Sequence, residues 1–296
     1  MPLSIFKLLR VKQWSKNLLT FAAWLFSGRY TDSGELRVTL LSFLAMCLAS
    51  SGTYVFNDIA DRERDSRHPK KKNRPIASGA VPVGLAAVIG TLCVCGSLAL
   101  AMFLNATCFW LVLSYLLIQV AYNLKLKHVS LLDVFIVASG FIIRAVLGAS
   151  ALVVPISGWF LVCTGALALM LGFAKRRNEF VSSGPDAGKV RETLTHYTRP
   201  SLDALVIFFA GCSAVFYGTY TLESSTGKAH PALILTVPCV IYGISRYMLL
   251  VFNRDEGGEP ADLLFGDLHI LGSLLLFLIF AYLTMTGTVK LPFLIP

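Results

Sequence analysis

Charge is what this sequence has least of. Asp, Glu, Lys and Arg make up 15% of the 296 residues, while 55% are hydrophobic. A soluble domain usually carries about 25% charged residues and needs them to cover its surface, so a soluble globular chain is excluded. Metal-type cysteine spacing is lacking as well. The seven cysteines, Cys47, Cys93, Cys95, Cys108, Cys163, Cys212 and Cys239, are odd in number and lie in apolar segments. They read as small buried hydrophobes rather than zinc ligands. Met1–Lys16 carries Lys7, Arg10, Lys12 and Lys16 without a short apolar core and small-residue cleavage site. No cleavable signal peptide is expected, and the first apolar segment reads as part of the mature chain. No low-complexity tract or soluble module interrupts the pattern, so a single domain over 1–296 is expected.

What is present is a series of long apolar runs. Leu36–Phe56, Val81–Leu104 and Leu131–Leu152 carry few charges, and each has about the 20 residues a helix needs to cross roughly 30 Å of hydrocarbon. The spacing predicts spans near 17–28, 37–56, 81–104, 107–121, 131–150, 155–174, 201–221, 231–250 and 268–288. The expected fold class is all-α, a polytopic bundle of about nine transmembrane helices, with Ile5–Trp14 as an amphipathic lead-in along the interface. The net charge of +9 would suit nucleic acid, but its distribution argues against that partner. Of the 26 Lys and Arg residues, Arg29, Arg37, Lys228 and Lys290 fall on one side and Arg144 inside span five; all others lie on the N-terminal side. Positive charge accumulates on the cytoplasmic side. The chain is therefore expected in a bacterial-type inner (plasma) membrane, multi-pass, with its N-terminus cytoplasmic.

The strongest local signal is Asn57-Asp58-Ile59-Ala60-Asp61-Arg62-Glu63-Arg64-Asp65, where span two meets that face. On a helix Asn57, Asp61 and Asp65 stack at i, i+4 and i+8. Such oxygens repel one another unless a cation sits among them, and open oxygen sites suit Mg2+ shared with substrate phosphates. Pairing with Arg62 and Arg64 at a solvated helix end is the plainer alternative. The run Lys70-Lys71-Lys72-Asn73-Arg74 follows at once. A polyanion bridged to Mg2+ needs both signs of charge around it, which points to phosphate contact at Arg74 and at one or two of Lys70, Lys71 and Lys72. Arg144, mid-span, cannot face lipid and must meet a carbonyl, an acid or a ligand phosphate. Lys16, Asn17, Lys125 and Lys127 sit at helix ends on the same face, where substrate phosphate and lipid headgroups are both candidate partners. Lys175, Arg176 and Glu179 share one turn, so an intrahelical salt bridge is the alternative to substrate binding there.

The pattern Asn-Asp-x-x-Asp-x-x-x-Asp, then Arg74-Pro75-Ile76-x-x-Gly79, resembles the UbiA superfamily of intramembrane prenyltransferases. Those are nine-helix bundles that use Mg2+ to hold a diphosphate at the cytoplasmic face. Arg10-Val11-Lys12-Gln13-Trp14-Ser15-Lys16-Asn17, Tyr122 through Lys127-His128, Ile143-Arg144-Ala145, Lys175-Arg176, Arg246-Tyr247 and Gly258-Glu259-Pro260 resemble its decaprenyl-phosphate phosphoribosyltransferase branch. The resemblance implies Mg2+-dependent transfer of a 5-phosphoribosyl group from phosphoribosyl diphosphate to a long polyprenyl phosphate, with release of diphosphate, in cell wall biosynthesis. It makes Asn57, Asp58, Asp61 and Asp65 the metal ligands, with Asp58, Asp61 and Asp65 catalytic. Lys16, Asn17, Lys70, Arg74, Tyr122, Lys125, Lys127, Arg144, Lys175 and Arg176 become substrate-binding, and a homo-oligomer is admitted. Two departures stand out. The superfamily's second acidic motif is reduced to Asp133, with Val137 where another Asp would stand, and the loop Asp255–Asp267 ends in Gly266-Asp267-Leu268 rather than Arg-Asp-Arg. Transfer of a prenyl group from a prenyl diphosphate to a small acceptor is the rival within the fold. A transporter of anionic solutes is the rival from another class.

Overall fold

The computed structural model describes residues 2–28, 30, 32–67, 71–184, 187–255, 257–258, 262–263 and 266–291. Among them every regular element is helical. The α-helices are α1 (Pro2–Leu8), α2 (Ala22–Ser27), α3 (Ser33–Ala60), α4 (Arg62–Ser66), α5 (Val83–Leu104), α6 (Ala106–Leu124), α7 (Leu132–Leu152), α8 (Gly158–Ser183), α9 (Ala187–Val190), α10 (Arg199–Glu223), α11 (Ser225–Ala229), α12 (Val237–Asn253) and α13 (Leu268–Met285). Among the described residues eight helical stretches are long and apolar enough to cross a membrane: α3, α5, α6, α7, α8, α10, Pro231–Asn253 and α13. They coincide with spans two to nine of the sequence reading. The first span is built differently, as a 3-10 helix over Val11–Phe21 followed by α2. A 3-10 helix rises ~2.0 Å per residue against ~1.5 Å in an α-helix, which gives this run a contour of roughly 30 Å despite its shortness.

The chain divides into two compact units: residues 1–22, 31–124 and 143–154 form the first, and 23–30, 125–142 and 155–296 the second. In the first unit small residues bring backbones together. A Cβ on Gly52 would stand 2.8 Å from Val94 Cγ2, and one on Gly90 3.1 Å from Val55 Cγ1, so α3 and α5 approach through reciprocal glycines. At Gly148 the approach is closer still, for a Cβ there would lie 2.1 Å from Thr20 O of the 3-10 segment. That segment is also pinned to α3: Trp14 Nε1 donates to Ser51 Oγ (3.0 Å), which donates to Leu9 O (2.8 Å).

The second unit is built around α8 and α10. Its core joins Phe173, Leu202, Val206 and Val251, all fully buried, and the Phe173 and Phe209 rings stack 5.6 Å apart. A capping box between Thr198 and Ser201 starts α10, and the Asp267 carboxylate caps α13 through the His269 and Ile270 N–H groups. Arg177, 1% exposed, ties the helices together. It donates to Asp203 (2.6 Å), Val251 O (2.8 Å) and Asp255 (2.7 Å).

Candidate functional site

The acidic motif keeps its helical register through the break between α3 and α4. Asp61 N donates to Asn57 O (2.9 Å) and Asp65 N to Asp61 O (2.8 Å), which leaves the predicted stack intact. Burial then sorts its members. Asp58 and Asp65 are 3% and 1% exposed, whereas Asp61 is 17% exposed and pairs with Arg64 at 2.9 Å. A single nitrogen, Arg74 Nη1, lies 3.1 Å from Asp58 Oδ1 and 2.6 Å from Asp65 Oδ2. Arg10 Nη2 approaches the same Asp58 Oδ1 at 2.5 Å, with its guanidinium over the Tyr54 ring. Oδ1 of Asp65 is buried and has no hydrogen-bond partner among the described residues. Lys71 lies close by, and burial together with the Arg74 charge pushes its ammonium below the ordinary lysine value. Thus the carboxylates meet arginines from both sequence directions, and not Arg62.

No three His, Cys, Asp or Glu side chains among the described residues are gathered tightly enough to hold a metal ion by themselves. Mg2+ does not need such a cage. It commonly takes one or two carboxylates and fills its shell with waters and substrate phosphates. The orphaned, buried Asp65 oxygen beside Asp58 fits a metal of that kind.

Arg144 sits deeper in the same unit, 5% exposed. Its Nε donates to Asn17 Oδ1 (2.6 Å) and its Nη2 to Tyr115 OH (3.3 Å). Asn17, fully buried, passes the network on through its amide to Cys47 Sγ and Ser50 Oγ. Asn17 is therefore a partner of Arg144 rather than an exposed helix-end group. Lys16 and Tyr122 also belong to this unit and are half-buried. Lys70 lies outside the described residues.

Four predicted substrate residues belong to the second unit. Lys125 is exposed, while Lys127 and Lys175 are half-buried. Arg176 is buried in an ionic cluster. It reaches Asp133 at 3.0 Å and Glu179 at 2.6 Å, and Arg191 joins both acids at 3.4 Å. The intrahelical pair with Glu179 anticipated from sequence exists, as half of a larger arrangement. Asp133 is fully buried, with Oδ1 unpartnered. The loop Asp255–Asp267 is gripped by arginines at both ends, Asp255 by Arg177 and Asp267 by Arg246 at 2.8 Å. These bonds hold both carboxyls below the ordinary range, that of Asp267 at about 2.

Sequence reasoning left three participants outside the site: Arg10, Arg191 and Tyr197. Arg10 has φ +50°, a left-handed conformation unusual for a bulky residue, at the corner between α1 and the 3-10 helix. Tyr197 accepts the Leu131 N–H at 2.7 Å. Arg10 was legible only as part of the motif ending at Asn17; its contact spans 48 residues of sequence.

Comparison with known proteins gives the family and the fold. The pattern described as the UbiA prenyltransferase family matches residues 18–259. A decaprenyl-phosphate phosphoribosyltransferase from Mycolicibacterium smegmatis is 36% identical over 275 residues, covering 89% of this chain and 86% of that one. The protein of the same name from Mycobacterium tuberculosis is 32% identical over 267 residues, covering 89% and 88%. Among solved structures, a UbiA homolog from Archaeoglobus fulgidus bound to GPP and Mg2+ superposes with a TM-score of 0.72 at 18% identity, over 96% of this chain and 99% of that chain. At that identity the likeness speaks for the fold alone.

Proposed function

The chain belongs to the UbiA prenyltransferase family, is a membrane-embedded transferase, and we propose that it moves a 5-phosphoribosyl group from phosphoribosyl diphosphate to a long-chain polyprenyl phosphate. The observation that carries the proposal is the pairing of buried acidic residues with guanidinium groups, Arg10 and Arg74 on Asp58 and Asp65. The names of its relatives, similar over nearly their whole length, support the same substrates.

In this reading Asn57, Asp58, Asp61 and Asp65 hold Mg2+ at the cytoplasmic face, with the N-terminus on that side. The bound ion supplies Lewis-acid neutralisation of the leaving diphosphate. Arg10, Arg74 and Lys71 complete the cradle from the protein side, and Lys16 and Lys70 extend it. An oxygen of the lipid phosphate attacks the anomeric carbon as the bond from that carbon to the diphosphate breaks; diphosphate departs with its electron pair. A phosphate monoester is a competent nucleophile at neutral pH, so the protein's task is to position and to stabilise charge rather than to abstract a proton. Within the second unit, Arg176 braces the fold through Asp133 and Glu179.

Membranes carrying the chain are incubated with radiolabelled phosphoribosyl diphosphate, polyprenyl phosphate and Mg2+. A butanol-extractable labelled lipid is expected, and it disappears when Mg2+ is chelated. Absence of that product, together with turnover of a prenyl diphosphate, would replace this reading by prenyl transfer to a small acceptor.

A further inference from the structure

We infer that Arg10 and Arg74 are exchange ligands, which hold the motif carboxylates until a divalent cation and a diphosphate arrive together and then pass to the phosphate oxygens. The inference rests on the proposed metal–diphosphate site and specifies how that site is loaded. Its basis is the charge balance of the first unit. Asp58 and Asp65 are buried, yet their negative charge is already met by two guanidinium groups. A cation entering alone would face carboxylates already neutralised, with two positive charges within bonding distance. A diphosphate alone would face the carboxylates. The pair arriving together brings opposite charges, one for each set of groups. Asp65 Oδ1, buried and without a hydrogen-bond partner among the described residues, is the oxygen open to the cation from the start.

Accessibility decides that the arginines can move. Arg10 and Arg74 are 25% and 26% exposed, whereas the carboxylates they hold are 3% and 1% exposed. The acids are fixed in the helical register of α3 and α4, and the guanidinium groups sit at the wet rim. Arginine's planar fork suits the transfer, since it binds carboxylate and phosphate with the same two-pronged geometry. Metal and diphosphate should consequently bind with strong positive coupling, a linkage that is reciprocal by thermodynamic necessity.

The test uses the full-length chain in nanodiscs and two readouts that need no turnover. Electron paramagnetic resonance titration with Mn2+ reports the metal alone, and radiolabelled inorganic diphosphate in excess Mg2+ reports the pair. Wild type should bind the pair at least about tenfold more tightly than the separate affinities predict. Arg10→Gln should move the two readouts in opposite directions: Mn2+ alone binds several-fold tighter, and Mg2+-diphosphate about tenfold weaker. Arg74→Gln should do the same and serves if Arg10→Gln does not fold, as read by its melting curve. Independent binding of metal and diphosphate in wild type overturns the inference, as does a parallel loss or no change of both affinities in the variants. Those results leave the proposed function standing. Failure of wild type to bind Mg2+-diphosphate at all overturns both.

Discussion

The two units each bury an aspartate between two arginines, yet the pairs are built for different ends. In the first unit the acids, Asp58 and Asp65, belong to one local helical motif, and the cations come from other segments and stay a quarter exposed. In the second a lone Asp133 meets Arg176, itself only 6% exposed, with Glu179 and Arg191 closing the ring. Among the described residues each cluster leaves one carboxylate oxygen without a hydrogen-bond partner, Asp65 Oδ1 and Asp133 Oδ1. Both guanidinium groups of the first cluster reach water, whereas in the second Arg191 does so, at 26% exposed, and Arg176 is buried. The presence of a buried cation, not burial of the acid, separates the two.

The sharpest way to break this comparison is to cut both clusters at the arginine. Arg176→Ala leaves the fully buried Asp133 with Arg191, at 3.4 Å, in place of two guanidinium groups, and the loss approaches the ~3–5 kcal/mol of removing one member of a buried pair. A large fall in melting temperature is expected, with the surviving fraction keeping its KM for phosphoribosyl diphosphate. A variant that melts like wild type but binds donor poorly would move Arg176 into the site and erase the contrast. Next in size comes Asp65→Asn. It keeps shape and burial but removes a charged oxygen, and turnover should fall by about a hundredfold or more with the melting temperature little changed. Asp61→Asn, at the partly exposed position, should cost less than Asp65→Asn; equal losses in saturating Mg2+ would mean that burial does not rank the motif.

How far the sequence carried these conclusions differs between helices and contacts. Apolar length alone placed eight spans to within a few residues at most ends, since crossing a hydrocarbon core demands an uninterrupted helix. The exceptions are polar ends. Spans two and six extend to Ala60 and Ser183, because a helix can continue into the aqueous layer where hydropathy no longer marks it. The first span, expected at 17–28, is a 3-10 helix up to Phe21 and an α-helix from Ala22, a change that a count of apolar residues cannot show. The acidic motif was legible as a stack because its spacing is local. Its partners were not, for Arg10 and Asp58 are 48 residues apart and Arg176 and Asp133 are 43 apart, and no periodic pattern encodes such pairs. Arg144 was legible as a residue obliged to find a partner; that the partners are Asn17 and Tyr115 came only with the fold.

That network sets the third prediction. Arg144→Lys retains charge but cannot keep both the Asn17 and the Tyr115 bonds from one planar group. Hydrogen bonds to a charged group are worth about 1.5–3 kcal/mol, so a loss of about 2 kcal/mol is expected in equilibrium unfolding, with donor KM unchanged. A raised KM at unchanged stability would place substrate, not Asn17, on the guanidinium.

The smallest effect belongs to the ion pair where α13 begins, and it tests whether exposed pairs count at all. Arg246 holds the Asp267 carboxyl at about 2, below the ordinary value near 4 of an unfolded chain. A depressed carboxylate contributes stability that is present above the unfolded value and is lost as pH falls from about 4 toward 2. Wild type should therefore lose melting temperature over that window. Asp267→Asn isolates the cause, because asparagine still caps the helix by accepting the His269 and Ile270 N–H groups while carrying no charge. The variant should melt slightly below wild type at pH 6 and approach it at pH 2.5, the gap closing as the wild-type carboxyl protonates. A gap that stays constant across that range would assign the whole contribution to capping and none to Arg246.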